Sequence, residues 1–118
     1  MKIDTANMVS IHPWFKAKPG KMPEIQALLT AFVAKTSTER ENLFYDFTIN
    51  GDEIFCREGY QGAEAALGHL ENVSALLGEM LTMAELSRFE IHGSAAELEK
   101  LKSPLANLKP AWFVRHGN

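Results

Sequence analysis

The chain has a single cysteine and little excess charge, and both shortages exclude classes of protein. Among its 118 residues only Cys56 carries a thiol, which excludes an intramolecular disulfide and a zinc site built from several cysteines. The net charge is −3, so the chain lacks the clustered basic charge that nucleic acids and anionic membranes attract. We therefore expect neither nucleic acid nor a membrane among its partners.

Long apolar runs and the common motifs of nucleotide-binding and hydrolytic enzymes are also missing. No stretch approaches the ~20 apolar residues of a membrane span. Residues 1–10 contain no continuous apolar segment of signal-peptide length, so the expected compartment is the cytoplasm. No glycine-rich phosphate loop, dinucleotide fingerprint, serine-nucleophile elbow or zinc-protease motif is present. We expect one domain over residues 1–118, with a core at about 8–93 and an extension at about 94–118.

The most informative stretch is residues 41–70, where Asn50-Gly51 separates two runs rich in aromatic and branched side chains. Asn-Gly favours a two-residue type I′ turn, which predicts a hairpin that pairs Ile49 with Asp52 and Tyr45 with Cys56. Alternation then makes one face mostly apolar, with Leu43, Tyr45, Phe47, Ile49, Ile54, Cys56, Glu58 and Tyr60. The other face is mixed, with Phe44, Asp46, Thr48, Glu53, Phe55 and Arg57.

Strands and helices alternate around this hairpin. Residues 8–17 predict a first strand that lies at an edge or bulges at Pro13, since proline cannot donate to a ladder. Helical spacing predicts a helix from Pro23 to Thr36 whose buried stripe is Ile25, Leu28, Leu29, Phe32, Val33 and Thr36. A second helix is predicted from Ala63 to about Met83, with a kink or restart at residues 72–74.

The C-terminal part predicts one more core strand and a short extension. Residues 86–92 alternate as a strand. Ser94 and Glu97 match a capping box, which predicts a short helix over roughly 95–102, and residues 112–114 can form a last short strand. The order β-α-β-β-α-β is that of the ferredoxin-like split βαβ fold, an α+β architecture with an antiparallel sheet. Both long helices then cover one sheet face and leave Phe44, Phe55 and Trp14 on the other, which predicts a face-to-face homodimer.

Three segments of the chain form a set: Lys18-Pro19-Gly20-Lys21 before an amphipathic helix, Asn42-Leu43-Phe44-Tyr45-Asp46-Phe47, and Arg57-Glu58-Gly59-Tyr60 followed by Ala63, Ala66 and His69-Leu70. In order and spacing they resemble the antibiotic biosynthesis monooxygenase (ABM) family of the dimeric α+β barrel superfamily. The resemblance covers about residues 9–90. It implies a small, often cofactor-free oxygenase in which a deprotonated quinol, anthrone or other electron-rich aromatic gives an electron to dioxygen.

Two departures from the family pattern bear on function. Tyr60 stands where the family usually has tryptophan. Haem degraders of the family use a histidine on the second helix where this chain has Gly78, and an asparagine on the first strand near Pro13. Haem ligation is therefore disfavoured and no cofactor is expected. The alternative to a monooxygenase is a dimer of the same fold that binds a small ligand, or serves only as structure, without chemistry.

Five residues are the candidate site. His69 lies about 60° from the centre of the second helix's apolar stripe, where an imidazole can line a cavity as a general base or serve as a half-buried structural histidine. Glu58 points into an apolar face, so it must be paired, protonated or beside a water-filled pocket. These two are the catalytic candidates. The substrate-binding candidates are aromatic: Tyr45, Tyr60 and Phe32. His12 and His92 form at most a weak metal pair, and no metal is expected.

Overall fold

The structure is a computed structural model that describes residues 2–117. Its strands are β1 (Val9–Ala17), β2 (Asn42–Asn50), β3 (Glu53–Tyr60), β4 (Ala84–Gly93) and β5 (Ala111–Val114). Its α-helices are α1 (Met22–Thr36), α2 (Ala63–Asn72), α3 (Ser74–Met83) and α4 (Ala95–Lys102), and a 3-10 turn spans Ala106–Leu108. Within residues 2–117, every helix is too short or too polar to span a lipid bilayer.

The strands form one sheet in the order β2-β3-β1-β4-β5. The first four positions are those of a ferredoxin-like sheet, with antiparallel pairing throughout. This confirms the predicted α+β fold. The predicted C-terminal strand pairs parallel with β4, so the extension lengthens the sheet by one strand.

The hairpin confirms the predicted faces but corrects the predicted pairing. The turn residues are Gly51 and Asp52, and Ile49 pairs with Ile54 and Tyr45 with Glu58. Gly51 has φ +61° while Asp52 is not in the left-handed region, which is the pattern of a type II′ turn, not type I′. Every pairing therefore shifts by two residues, and because side chains alternate with period two, each one keeps its face.

The sheet's apolar face carries the helices and the core. Along β1, Val9, Ile11 and Phe15 are buried against the helical layer, and Pro13 points the same way. A bulge between Trp14 and Phe15 shifts the pairing with β4. Because β1 is a central strand, the edge alternative expected for Pro13 is wrong, and the expected bulge lies just beyond it, between Trp14 and Phe15.

The two long helical segments follow the predicted pattern with two differences. Val33, predicted in the buried stripe of α1, is 44% exposed, whereas Phe32 and Thr36 are buried, so the stripe is narrower than expected and passes beside Val33. The second predicted helix breaks at Val73 into α2 and α3, which confirms the restart at residues 72–74. β4 begins at Ala84, two residues earlier than expected, since α3 runs directly into it.

Only half of the predicted capping box forms at α4. Ser94 Oγ accepts the Glu97 backbone N–H at 3.3 Å, as predicted. The Glu97 carboxylate does not return to Ser94 but accepts the Ala63 backbone N–H at 2.8 Å. The N-terminus of α2 begins at Gly62 without a cap from its own segment, so Glu97 caps α2 and ties the extension to the core.

The second sheet face carries a row of rings. Trp14 and Phe55 lie 4.5 Å apart between ring centroids, as do His12 and His92. His92 in turn stacks on Phe113 at 4.5 Å. Phe113 is 42% exposed. The part of the chain that the structure describes places no helix over this face.

Candidate functional site

A small cavity lies between the helices and the apolar face of the sheet. Its lining is largely aliphatic and aromatic, with polar groups from β2, β3 and α2. The members that bear on chemistry are Phe32, Tyr45, Cys56, Glu58 and His69. The cavity has a water-accessible volume of about 40 Å³, room for about three water molecules. The structure thus brings four of the five predicted site residues to one cavity.

Glu58 is the buried carboxyl of this cavity. Strand alternation points it inward from β3, and it is only 4% exposed. The Tyr60 hydroxyl donates to Glu58 Oε1 at 2.6 Å, and His69 Nε2 lies 3.3 Å from the same oxygen. Burial raises the pKa of Glu58 to about 7, against the opposing effect of hydrogen bonds from Tyr60 and Cys56. Glu58 therefore exchanges its proton near neutral pH.

His69 lies in the last turn of α2 and is more deeply buried than its sequence position indicates. Only 2% of it is exposed, and its ring packs beside those of Tyr45 and Tyr60, at 5.1 and 5.0 Å. Burial lowers the pKa of His69, and the Glu39 carboxylate opposes this shift. The imidazole is thus neutral at neutral pH, with one nitrogen donating and the other accepting.

Glu39 is a site residue that the sequence did not reveal. His69 Nδ1 lies 2.8 Å from Glu39 Oε2 and 3.1 Å from Oε1. Asn72 Nδ2 donates to Glu39 Oε2 at 2.9 Å and so orients the carboxylate. Glu39 follows the C-terminus of α1, where the Thr38 hydroxyl donates to the Lys35 carbonyl at 2.7 Å. No local pattern marks this residue, because its role depends on where α1 ends relative to α2.

The other candidates occupy different positions around Glu58 and His69. Tyr45 and Phe32 line the cavity, whereas Tyr60 is fully buried behind Glu58 and is not part of the lining. Burial raises the pKa values of Tyr45, Tyr60 and Cys56 well above their ordinary ranges, so these groups keep their protons. They serve this site as hydrogen-bond donors.

His12 and His92 lie on the other sheet face, away from the cavity. The His92 ring nitrogen is 3.0 Å from Glu90 Oε1, and Arg88 pairs with the second oxygen of Glu90. Residues 2–117 contain no group of three or more histidine, cysteine or acidic side chains arranged to hold a metal ion.

The arrangement in the cavity is suited to proton transfer. A carboxyl that titrates near neutral pH touches a neutral imidazole, and both face an apolar space from which bulk water is largely excluded. Such a pair can take a proton from a bound hydroxyl or acidic C–H group and hold it nearby. An apolar surrounding also strengthens each electrostatic contact in the site.

The same fold occurs in solved structures of other proteins. MupZ from Pseudomonas fluorescens is 35% identical, with a TM-score of 0.90 over 95% of this chain and 93% of that one. A protein named as an antibiotic biosynthesis monooxygenase from Nitrosomonas europaea is 13% identical, with a TM-score of 0.68 over 80% of this chain and 96% of its own. A protein of the same name from Chloroflexus aurantiacus is 18% identical, with a TM-score of 0.63 over 75% of this chain and 94% of its own.

These likenesses define an α+β protein of the ferredoxin-like type. No family model matches the chain, and no curated protein matches it. At 35% identity over nearly its whole length, the chain belongs to the same family as MupZ, and it has the fold of the proteins named as antibiotic biosynthesis monooxygenases. A match over 95% of the chain also takes in most of the C-terminal extension, so α4 and β5 belong to what the chain shares with MupZ.

Proposed function

We propose that the chain is a cofactor-independent monooxygenase that oxidises a quinol, an anthrone or a similar electron-rich aromatic with dioxygen. The observation that carries this proposal is the Glu58–His69 pair in an apolar cavity. The fold shared with proteins named as antibiotic biosynthesis monooxygenases supports a monooxygenase-type reaction, and the buried acid–base pair supports a substrate that must lose a proton before it reacts.

For an anthrone the steps are as follows. Ionised Glu58 takes a proton from the substrate, and the resulting anion gives one electron to dioxygen. The two radicals combine to form a C–O bond and a peroxide anion, which takes the proton back from Glu58 and so restores the ionised base. Loss of water then breaks the O–O bond and leaves a quinone, so the substrate gains one oxygen atom and loses two hydrogens while dioxygen supplies both the new carbonyl and the water. Nothing in these steps requires an external reductant.

The remaining candidates hold the reactants in place. Phe32 and Tyr45 line the cavity where a ring would bind, and we expect the Tyr45 hydroxyl to donate to a phenolic oxygen of the substrate. Tyr60 touches Glu58, not the cavity, so its role is to orient the carboxyl. Water exclusion protects the substrate anion and the peroxide from premature protonation.

The cavity must enlarge before it takes an aromatic ring, since about 40 Å³ holds only small molecules. Leu70 and Leu77, which line it from α2 and α3, are half-buried and lie on either side of the break at Val73. We expect these helices to move apart when substrate binds. Substrate binding should therefore increase hydrogen exchange around residues 70–77 before product forms.

Oxygen uptake with a panel of quinols and anthrones tests the proposal. We expect Glu58→Gln to lower kcat/KM by about 10²–10⁴-fold, the usual contribution of a positioned base, and the wild-type rate to rise with pH through about 7. Glu53→Gln, an exposed carboxylate on the same strand, is the matched control and should retain wild-type rates. Absence of turnover with every substrate, or full activity in Glu58→Gln, would refute the proposal.

The small size of the cavity favours one alternative, a ligand-binding or structural protein of the same fold without chemistry. In that case the purified protein should retain a small aromatic molecule, and His69→Ala should change its affinity while no oxygen uptake occurs with any variant. Isothermal titration beside the uptake assay separates these two functions.

The partner that the second sheet face requires is a second copy of the chain. Trp14 and Phe55 pack on each other there, and Phe44 covers Gly59 further along β3. Burying each of these rings fully is worth roughly 2 kcal/mol. An isologous dimer buries the same patch twice about one two-fold axis, which is the simplest assembly that covers this face.

A further inference from the structure

We propose that Glu39, His69 and Glu58 form a proton path through the wall of the cavity, so that Glu58 exchanges protons with solvent through Glu39 whether or not the cavity is occupied. The path rests on the proposed function for its purpose. Its existence rests on the geometry of these three side chains alone.

The first step is the placement of His69 between two spaces. Its ring lines the inner cavity and also an open surface cleft at the exit of α1. Nε2 lies 3.3 Å from Glu58 on the cavity side, and Nδ1 lies 2.8 Å from Glu39 on the cleft side. The side chain of Glu39 is 14% exposed and so reaches solvent, whereas Glu58 does not.

The second step is the state of the imidazole. Ionised Glu39 only accepts hydrogen bonds, so the neutral ring carries its proton on Nδ1 and presents the lone pair of Nε2 to Glu58. Asn72 also donates to Glu39, which keeps the carboxylate turned toward the ring. Nε2 can therefore accept a proton from Glu58 while Nδ1 donates one to Glu39.

The third step is the transfer itself. Protonated Glu58 gives its proton to Nε2 as Nδ1 gives its own to Glu39, which then releases a proton to water in the cleft. The imidazole remains neutral and changes only its tautomer. Uptake runs the same transfers in reverse and restores the starting tautomer, so no other group has to gain or lose a proton.

The other groups around the pair do not offer a competing path. Tyr60 on β3, Cys56 on β3 and Tyr45 on β2 face the site from the sheet, and burial raises the pKa of each. They donate hydrogen bonds but do not release protons near neutral pH. Once a substrate fills the cavity, His69 is the neighbour of Glu58 that connects it with solvent.

A pH jump without substrate tests the path. The protein is stepped from pH 8 to pH 6, and time-resolved infrared spectroscopy follows the C=O stretch of protonated Glu58, which Glu58→Gln identifies by its loss. We expect Glu39→Gln to slow the appearance of this band by about 10- to 100-fold, within the range that a positioned proton-transfer group supplies. Glu41→Gln, an exposed carboxylate lining the same cleft, should match the wild type.

A second variant separates proton transfer from structure. Glu39→Ala should also be slow, but formate, which fits the space that the side chain leaves, should restore its rate, whereas Glu39→Gln should show no rescue. Wild-type rates in both Glu39 variants, slow rates in the Glu41 control, or no rescue by formate would overturn the path. Because no substrate is involved, a failure here leaves the monooxygenase proposal standing, and an absence of oxygen uptake leaves the path standing.

Discussion

The buried Glu58 carboxyl lowers the free energy of unfolding at neutral pH. Its pKa rises from the ordinary 4.5 to about 7 on folding, and each pKa unit is worth about 1.4 kcal/mol. Between these pH values the folded chain holds a proton on Glu58 that the unfolded chain has released, so stability falls as pH rises through this window. The full loss of about 3 kcal/mol applies above pH 7, and none applies below pH 4.5.

Glu58→Gln removes this pH dependence while preserving the shape of the side chain. The amide oxygen can take the place of Glu58 Oε1 and accept the hydrogen bond from Tyr60. At pH 8 we expect the variant to be more stable than the wild type by up to about 3 kcal/mol, or on the order of 10 °C in Tm. At pH 4.5 the two proteins should be equally stable.

Urea unfolding at pH 4.5, 6 and 8 measures the difference directly. Glu53→Gln removes an exposed carboxylate from the same strand and should follow the wild type at each pH. Equal destabilisation of Glu58→Gln at pH 4.5 and pH 8 would refute the reasoning, because it would show that Glu58 stays ionised throughout and is stabilised by its partners.

Two further predictions concern the second sheet face. In the wild type the ring centroids of Phe55 and Trp14 are 4.5 Å apart, so Phe55→Asp places a carboxylate beside Trp14. Sedimentation should then show monomer or unfolded protein. A stable dimer would mean that another surface forms the interface. Gly59→Ala places a Cβ 2.4 Å from Phe44 Cε2 and should lower the free energy of unfolding in urea by about 1–3 kcal/mol. The control is Gly68→Ala, whose new Cβ has nothing within 4 Å. It should stabilise α2 by about 0.5–1 kcal/mol. Equal effects of the two glycine variants would contradict the close packing of Phe44.

The elements and faces of this fold follow from local patterns in the sequence, but pairing details do not. Alternation alone assigns Glu58 to the helical face, and it does so even though the predicted pairing is two residues out of register. The register depends on which two residues form the turn. Asn50 permits a left-handed conformation, yet the turn uses Gly51 and Asp52, since glycine at the first position of a type II′ turn meets no steric resistance.

Glu39 shows why part of the site could not be predicted. Helical geometry placed His69 on the flank of the buried arc, and burial of an imidazole is decided by its partners, not by its own position on a helix. Those partners come from β3 and from the segment after α1, 11 residues before and 30 residues before His69 in the chain. Contacts of this kind exist only once the helices have packed on the sheet.

The network is difficult to explain as a structural device. A carboxyl and an imidazole in an apolar core cost desolvation energy that their mutual contacts only partly return, and apolar side chains of similar size would fill the same space without a dependence on pH. The hydroxyl of Tyr60 and the carboxylate of Glu39 are then needed to satisfy the two groups. Proton transfer to and from a bound molecule accounts for a buried carboxyl that lowers stability near neutral pH and lies beside an imidazole in an apolar cavity.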